Sequence, residues 1–379
     1  MAEAVASPRD VGTVPCWTRR EIAQQPSTLR QTQQLLMTQR AAIGGFLAPV
    51  LAIPDLRIIL AGAGTSAFIG ECLVPYLSTL LDRKVEAIAT TDIVSAPALF
   101  LSPRRPTLLV SFGRSGNSPE SIAAIDLADQ LVDWTRHLVI TCNDAGALAR
   151  RQGDRHHIVV LPQETHDRAF AMTSSFTAMM LSALSIFAGI HAMDERVEAI
   201  ATSVEAMLTR SAASMAALAD RGFDRVVYLG SGTLAGLARE AVLKLLELTD
   251  GAVVAKSDSS LGFRHGPKTF IDARTLVVMF VSNDPHTRAY DLDMIAELRR
   301  DARCGAVLAI GTEGLEADAL IVPGMVQAND VDLLFPMIVP AQLLAVDCST
   351  RLEIDPDQPS RSGTVNRVVE GVTIHPYRA

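Results

Sequence analysis

Residues 57–66 read Arg57-Ile58-Ile59-Leu60-Ala61-Gly62-Ala63-Gly64-Thr65-Ser66, and residues 225–233 read Arg225-Val226-Val227-Tyr228-Leu229-Gly230-Ser231-Gly232-Thr233. Each is a short apolar run entering a Gly-Thr turn, and a helical pattern follows each. Downstream of the first, apolar runs recur at 85–89, 107–112, 137–142 and 157–161, with helical patterns between most of them, notably 118–134. Downstream of the second they recur at 253–255, 275–281, 306–310 and 319–322. Strands that alternate with helices and read as continuous apolar runs predict parallel sheets covered on both faces. The repetition predicts an internal duplication: an α/β chain of two five-stranded parallel αβα units in tandem.

Helical segments frame these units. WTRREIAQQ, residues 17–25, has a threonine N-cap and is interrupted by Pro26; a second amphipathic pattern runs over about 27–46. Two helices, about 173–192 and 194–219, separate the units. A last one, about 332–351, precedes a polar tail rich in Pro, Ser and Arg, and the first fifteen residues read as disordered.

A chain of 379 residues accommodates two domains, and its balance, about half hydrophobic and a fifth charged, is that of a globular protein. A net charge of −8 with no basic block excludes a nucleic-acid role. Five scattered cysteines without a CxxC, and no His or Cys pair at metal-ligand spacing, predict free thiols in a reducing compartment and no metal. The N-terminus has no apolar core of a signal peptide. Residues 171–193 carry no Asp, Glu, Lys or Arg and are long enough to cross a bilayer. They are rich in Ser, Thr and Ala between α/β units, so a helix buried between domains or subunits is expected instead, in a cytoplasmic protein without a membrane partner.

Chemistry concentrates in residues 240–267, EAVLKLLELTDGAVVAKSDSSLGFRHGP. Leu234, Leu237, Ala241, Leu245 and Leu248 make an apolar face at helical spacing, and Val242, Leu243 and Leu246 cover most of the rest, which predicts a buried helix. Yet Glu240, Lys244 and Glu247 stack on one stripe of it. The chain has four lysines against thirty arginines, and three of the four lie in or beside this stretch. A site wanting a compact ammonium of adjustable pKa is one reading; an ordinary i,i+4 ion pair is the other. His265, before Gly266-Pro267 on a turn, is a candidate acid/base or a bystander.

The third strand of the first unit enters Ser111-Phe112-Gly113-Arg114-Ser115-Gly116-Asn117-Ser118 and then a helix. Backbone amides near Ser115 and Gly116, the hydroxyls of Ser111, Ser115 and Ser118, and Arg114 as the only local full charge suit a phosphate. Ser66 faces the same crevice if the sheet order switches between strands one and three. A plain helix cap is the alternative. The second unit has Ser282-Asn283-Asp284-Pro285 there, with an acid unsuited to an anion site. Gly62-x-Gly64-x-x-Ala67 partly fits a dinucleotide fingerprint, but no acid ends the 85–89 run and Asp92 comes late, so a dehydrogenase is a competing reading.

The two Gly-Thr turns, the GRSGNSPES loop and the helix-plus-HGP stretch resemble tandem SIS (sugar isomerase) domains, as in the isomerase half of glucosamine-6-phosphate synthase. SDSSLGFRHGP and SGTVNRVVEGVTI are most similar to the AgaS group of tagatose-6-phosphate ketose/aldose isomerases or galactosamine-6-phosphate deaminases. The resemblance implies flavodoxin-like SIS domains at 51–193 and 194–355, preceded by helices in 1–50 and followed by a tail, 356–379, that covers the site. It implies that Glu247 moves the proton between C1 and C2 of the open-chain sugar. His265 would assist ring opening from a neighbouring subunit, in a homodimer or higher homo-oligomer. Lys244 would sit near the developing negative charge, with Glu240 as a supporting acid. Ser66, Ser111, Arg114, Ser115, Gly116 and Ser118 would hold the phosphate, and Thr173 and Ser174 would lie against the sugar. The synthase's glutaminase and its C-terminal lysine are missing here, so ammonia release is expected rather than ammonia fixation. Asn366 and Arg367 are expected to close the site. The partner is then a small sugar phosphate, with no cofactor. Glucosamine-6-phosphate deamination, plain ketose/aldose isomerisation and a non-catalytic sugar-phosphate sensor are the remaining alternatives.

Overall fold

The computed structural model describes residues 16–369 and 371–378, so the first fifteen, read as disordered, lie outside the described residues. The chain opens with α1 (Trp17–Ala23) and α2 (Gln25–Leu51). Pro26 sits in the first turn of α2, where its missing N–H costs nothing, so the second helix starts earlier and runs later than its sequence pattern suggests. Cys16, not Thr18, caps α1, its sulfur accepting from Arg19 N at 3.5 Å. The Thr18 hydroxyl is instead committed to the Asp357 carboxylate at 2.7 Å.

The first unit follows as β1 (Arg57–Gly62), α3 (Thr65–Leu81), β2 (Val85–Ala89), α4 (Thr90–Ser95), α5 (Pro97–Phe100), β3 (Thr107–Gly113), α6 (Pro119–Leu131), β4 (Thr135–Thr141) and β5 (His156–Val160). Its sheet is parallel in the order β2-β1-β3-β4-β5, with Ala61 paired to Ser111 and Val110 to Leu138. Two helices, α7 (Ser174–Ala188) and α8 (Asp194–Asp220), lead to the second unit. That unit runs β6 (Arg225–Leu229), α9 (Thr233–Leu248), β7 (Val254–Asp258), β8 (Thr275–Phe280), α10 (Pro285–Asp301), β9 (Ala306–Gly311), β10 (Leu320–Ile321) and α11 (Asp330–Arg351). Its parallel order, β10-β9-β8-β6-β7, is the first order read from the other edge. The predicted duplication is therefore present down to strand order.

It is present in the turns too. Gly64 and Gly232 precede α3 and α9 at φ/ψ of 56/−129° and 57/−125°, a region open to glycine and closed to side chains with a Cβ.

The main core is shared by both units. It gathers the inner faces of the two sheets, as in Leu60, Val110, Tyr228 and Val278, with α2, α3, α7, α8, α9 and α11. Separate outer cores lie under α6 (Ala124, Ile125 against Val139) and under α10 (Met294, Leu298 against Val277). The charge-free stretch resolves into α7, 15 residues long and buried along its length, as its composition predicts. Among the described residues the one helix long and apolar enough to cross a membrane is instead α11, and 94% of its most apolar window is buried inside the protein.

α3 and α9 pack directly on one another across the pseudo-symmetric join. A Cβ on Gly236 would stand 2.6 Å from the backbone nitrogen of Cys72, so α9 approaches α3 as closely as only glycine allows. That contact fixes the height of α9 over the first sheet, and with it the position of Glu247.

Candidate active site

The order of the first sheet makes β1 and β3 neighbours whose connections leave in opposite directions, the usual place for a ligand crevice in an open α/β sheet. A cleft opens at their carboxyl ends. It is bordered by Gly64, Thr65 and Ser66 from the first turn and by Gly113, Arg114, Ser115, Gly116 and Ser118 from the second. The second turn is held from behind: Asn143 Nδ2 donates to Ser115 O (2.7 Å), and Leu148 N donates to Gly116 O (2.9 Å). Ser118 is the N-cap residue of α6, with Pro119 at the first helical position. Its hydroxyl donates to Glu120 (2.7 Å), while the Ser115 hydroxyl accepts from Asn117 N (3.2 Å). Ser66 is buried, and its hydroxyl faces the Met172 sulfur at 4.0 Å. Ser111 lies one step too deep on β3: it does not border the cleft, and its buried hydroxyl has no partner.

Arg114 differs from its sequence expectation. Its side chain is buried, and its guanidinium donates to the carbonyls of Ala169 (3.3 Å), Phe170 (3.0 Å) and Arg367 (2.8 Å). Burial, with Arg367 adding to it, pulls its pKa down to about 10. Arg114 thus braces the wall of the cleft, and it is not the only charge there, because Arg367 borders the cleft beside it.

The charged stripe of α9 points inward. Glu240 and Lys244 are fully buried, whereas Val242, Leu243 and Leu246 are partly exposed, so the helix is less apolar on its buried side than its sequence pattern suggests. Lys244 Nζ lies 2.5 Å from Glu247 Oε2 and 3.5 Å from Glu240 Oε1. Thr65 Oγ1 donates to Glu240 Oε1 at 3.3 Å, and Glu240 Oε2 has no partner. Burial, against the pull of Lys244, pushes the Glu240 carboxyl up to about 8. Burial alone would depress the Lys244 ammonium, but the two glutamates together hold its pKa above the ordinary lysine value. Near neutral pH Glu240 is therefore protonated, and the Lys244 ammonium is paired to the nearer Glu247. Glu247 has the exposed end of the trio: its side chain is 23% accessible and borders the first unit's cleft.

Residues 365–369 of the tail form a further part of the cleft wall, beside Phe170 and Met172. Arg367 Nε donates to Ala169 O (3.0 Å), and Nη2 donates to Asp167 O. Asn366 and Arg367, the residues expected to close the site, both border the cleft. Thr173 and Ser174 depart from expectation, because neither borders the cleft. Ser174 donates its hydroxyl to the buried Asp167 carboxylate, which also takes Thr173 N (2.8 Å) and Ser175 N (2.9 Å) and so holds the start of α7. His265 is exposed at the end of the turn Gly262–Arg264 and does not border the cleft of its own chain.

The second unit's equivalent turn is already filled by carboxylates. Asp291 Oδ1 accepts from the Ser231 hydroxyl (3.3 Å) and from that of Ser260, and Oδ2 accepts from Ser282 N (3.0 Å). Asp330 takes the Ser282 hydroxyl (2.6 Å) and Asn283 N (2.7 Å). The acid singled out in the sequence, Asp284, instead caps α10 by accepting from Thr287 N at 2.8 Å. Among the described residues, one His/Asp grouping with ligand atoms within 4.8 Å, Asp129, His137 and His156, lies away from this cleft, at the end of α6 and the start of β4 and β5. Asp129 is already engaged by His137 (3.0 Å), Thr135 (2.7 Å) and Arg155 (3.6 Å), while His137 Nδ1 and both ring nitrogens of His156 are buried without a hydrogen-bond partner.

Sequence reasoning missed Glu21 and Asp167. Glu21 had a signal: it is the only acid between Asp10 and Asp55.

With this geometry in view, the comparisons are specific. The SIS domain model matches residues 52–188. The AgaS protein of Streptomyces coelicolor is 49% identical over 368 residues, covering 94% of this chain and 95% of its own. The chain belongs to the SIS domain family. Within the family, D-galactosamine-6-phosphate deaminase AgaS of Escherichia coli is 47% identical over 370 residues, covering 96% of each chain. The crystal structure of tagatose-6-phosphate ketose/aldose isomerase from Escherichia coli superposes with a TM-score of 0.90 at 43% identity, covering 99% of this chain and all of that one. The tandem SIS architecture read from the two Gly-Thr turns is thereby shown.

Proposed function

We propose that this SIS chain is an amino-sugar phosphate isomerase/deaminase, converting a hexosamine 6-phosphate to a ketose 6-phosphate and ammonia. Galactosamine 6-phosphate, giving tagatose 6-phosphate, is the first substrate. The observation that carries this reading is the meeting of Glu247 from one unit with the serine- and glycine-lined turn of the other in a single cleft. The near-full-length likeness to AgaS proteins supports the same chemistry.

The phosphate takes the amides and hydroxyls of 115–118 and Ser66, at the amino end of α6, where helix dipole and free N–H groups favour an anion. This anchors the sugar with C1 and C2 toward α9. Glu247 removes the proton from C2 of the open-chain amino aldose and returns one to C1. The C2 enamine becomes a ketimine; water adds to it, the C2–N bond breaks, and ketose and ammonia leave. That last step is a hydrolysis. Lys244 holds its positive charge against the Glu247 carboxyl and the oxygen on C1 that gains negative charge, stabilisation that preorganised cations supply strongly in a dry site. Glu240, neutral behind Lys244, keeps the buried trio from carrying an excess negative charge.

Because His265 stands outside its own chain's cleft, it serves ring opening in a second copy, which makes a homodimer the smallest active form. The same proton transfer on a 2-hydroxy sugar gives plain isomerisation, the activity for which the Escherichia coli structure is named. The test is ammonium and ketose release by the purified protein from galactosamine 6-phosphate and from glucosamine 6-phosphate. Faster release from the first is expected; release from neither would overturn the deaminase reading.

A further inference from the structure

Glu21 lies on α1, 3% exposed, and is not part of the chemistry described above. Its Oε1 accepts from Arg168 N (2.5 Å), and both its oxygens lie 3.3 Å from Ala169 N. The N–H of Arg168 and the C=O of Asp167 belong to one peptide group. On the carbonyl side of that group sits Arg367, which donates to Asp167 O and, through Nε, to Ala169 O. A carboxylate and a guanidinium therefore grip opposite ends of the same peptide dipole. Arg114 adds to the clamp, donating to Ala169 O and Phe170 O and, with its other nitrogen, to Arg367 O. The tail is also tied to α1 further back, where Asp357 accepts from Trp17 N (2.7 Å) and Thr18 N (2.8 Å). Between these two anchorages, residues 361–366 are exposed.

We infer that Glu21 is a positioning residue: acting through the Asp167–Arg168 peptide group on Arg367, it latches residues 365–369 over the cleft. The charged and titratable groups around it are Asp167 from the loop before α7, Arg114 from the turn after β3 and Arg367 from the tail, with Arg20, Glu164 and His166 bordering the same cavity; burial, then Arg367, holds the His166 imidazole below its ordinary range. The Arg168 side chain turns away, stacking on Trp17 at 4.6 Å. Burial, then the neighbouring Asp167, pushes the Glu21 carboxyl up to about 7. The latch is thus charged above neutral pH and discharged below it. A hydrogen-bonded dipole loses part of its pull on a guanidinium when the carboxylate at its other end is neutralised. By reciprocity, closing the tail favours the charged Glu21, and charging Glu21 favours the closed tail.

For turnover, the consequence rests on the proposed reading of the cleft: the segment opens to admit a sugar phosphate and closes to shed water. The latch itself needs no substrate to be tested. Trypsin cleavage after Arg367, which frees residues 368–379, reports opening of the segment by mass spectrometry. Rates are normalised to an unstructured arginine peptide in the same tube. The wild-type chain is expected to be cut about tenfold faster near pH 6 than near pH 8, the factor that separates a charge-assisted from a neutral hydrogen bond. Glu21→Gln is expected to be cut at the fast rate at both pH values. A normalised wild-type rate that is the same at both pH values overturns the inference, and so does a Glu21→Gln chain that keeps the wild-type pH dependence. The wild-type comparison needs no variant, so it decides the matter even where Glu21→Gln fails to fold.

Discussion

Replacing Glu240 by glutamine tests the electrostatic state of α9 directly. Glu240 is fully buried, its Oε2 has no partner, and its carboxyl is held up to about 8 from 4.5. A group with a raised folded-state pKa binds a proton in the fold where the unfolded chain has already lost it. Its contribution to stability is therefore complete below about pH 4.5 and is lost as pH rises to about 8. Each pH unit in that window costs the wild-type fold about 1.4 kcal/mol relative to a side chain that cannot titrate, so the whole window is worth roughly 5 kcal/mol. Glutamine keeps the acceptor for Thr65 and puts an NH2 where the protonated Oε2 now lies, so it imitates the neutral state. Urea midpoints of the two chains, measured at about pH 5 and about pH 8, should show Glu240→Gln gaining on wild type as pH rises. A gap between the chains that is constant with pH would mean that Glu240 is ionised throughout, and the protonated-acid account of this helix would be wrong.

Other expectations follow from the same contacts. Gly236→Ala places a Cβ 2.6 Å from Cys72 N, which should cost about 1–3 kcal/mol in thermal unfolding and lower turnover by shifting α9. Asp291→Ala deprives Ser282 N–H of its acceptor in a buried site, a loss of about 1–3 kcal/mol in denaturant titration with turnover kept in the other unit. Mixing inactive His265→Ala and Glu247→Gln chains, unfolded and refolded together, should restore up to about a quarter of wild-type activity if the site is shared across a two-fold dimer. No recovery, with mixed dimers shown to form, would mean that His265 serves the cleft of its own chain and not that of its partner.

Much of this was legible because duplication repeats its signals. The apolar run and Gly-Thr turn occur twice, and the same backbone geometry at Gly64 and Gly232 is the physical reason those residues recur. The stripe Glu240-Lys244-Glu247 was legible because charge on a greasy helix violates the pattern around it. What periodicity cannot convey is how long side chains spend their donors. Arg114 reads as a phosphate ligand until its nitrogens are found on three carbonyls. Thr173 and Ser174 read as sugar contacts, yet the Asp167 carboxylate claims the Thr173 amide and the Ser174 hydroxyl. Glu21 and Arg367 are separated by nearly the whole chain, and only folding brings them to the same peptide group. The second unit's turn showed an acid in sequence, but Asp291 and Asp330, which fill it, come from α10 and α11 rather than from the turn itself.

The central claim is that Glu247 transfers the proton in the cleft. Ammonium release from galactosamine 6-phosphate, measured beside equilibrium binding of the same compound, compares wild type with Glu247→Gln. The account predicts binding within a few-fold of wild type and turnover reduced by about 10²–10⁴, the range for a lost general base. A Glu247→Gln protein that releases ammonium at the wild-type rate would contradict it.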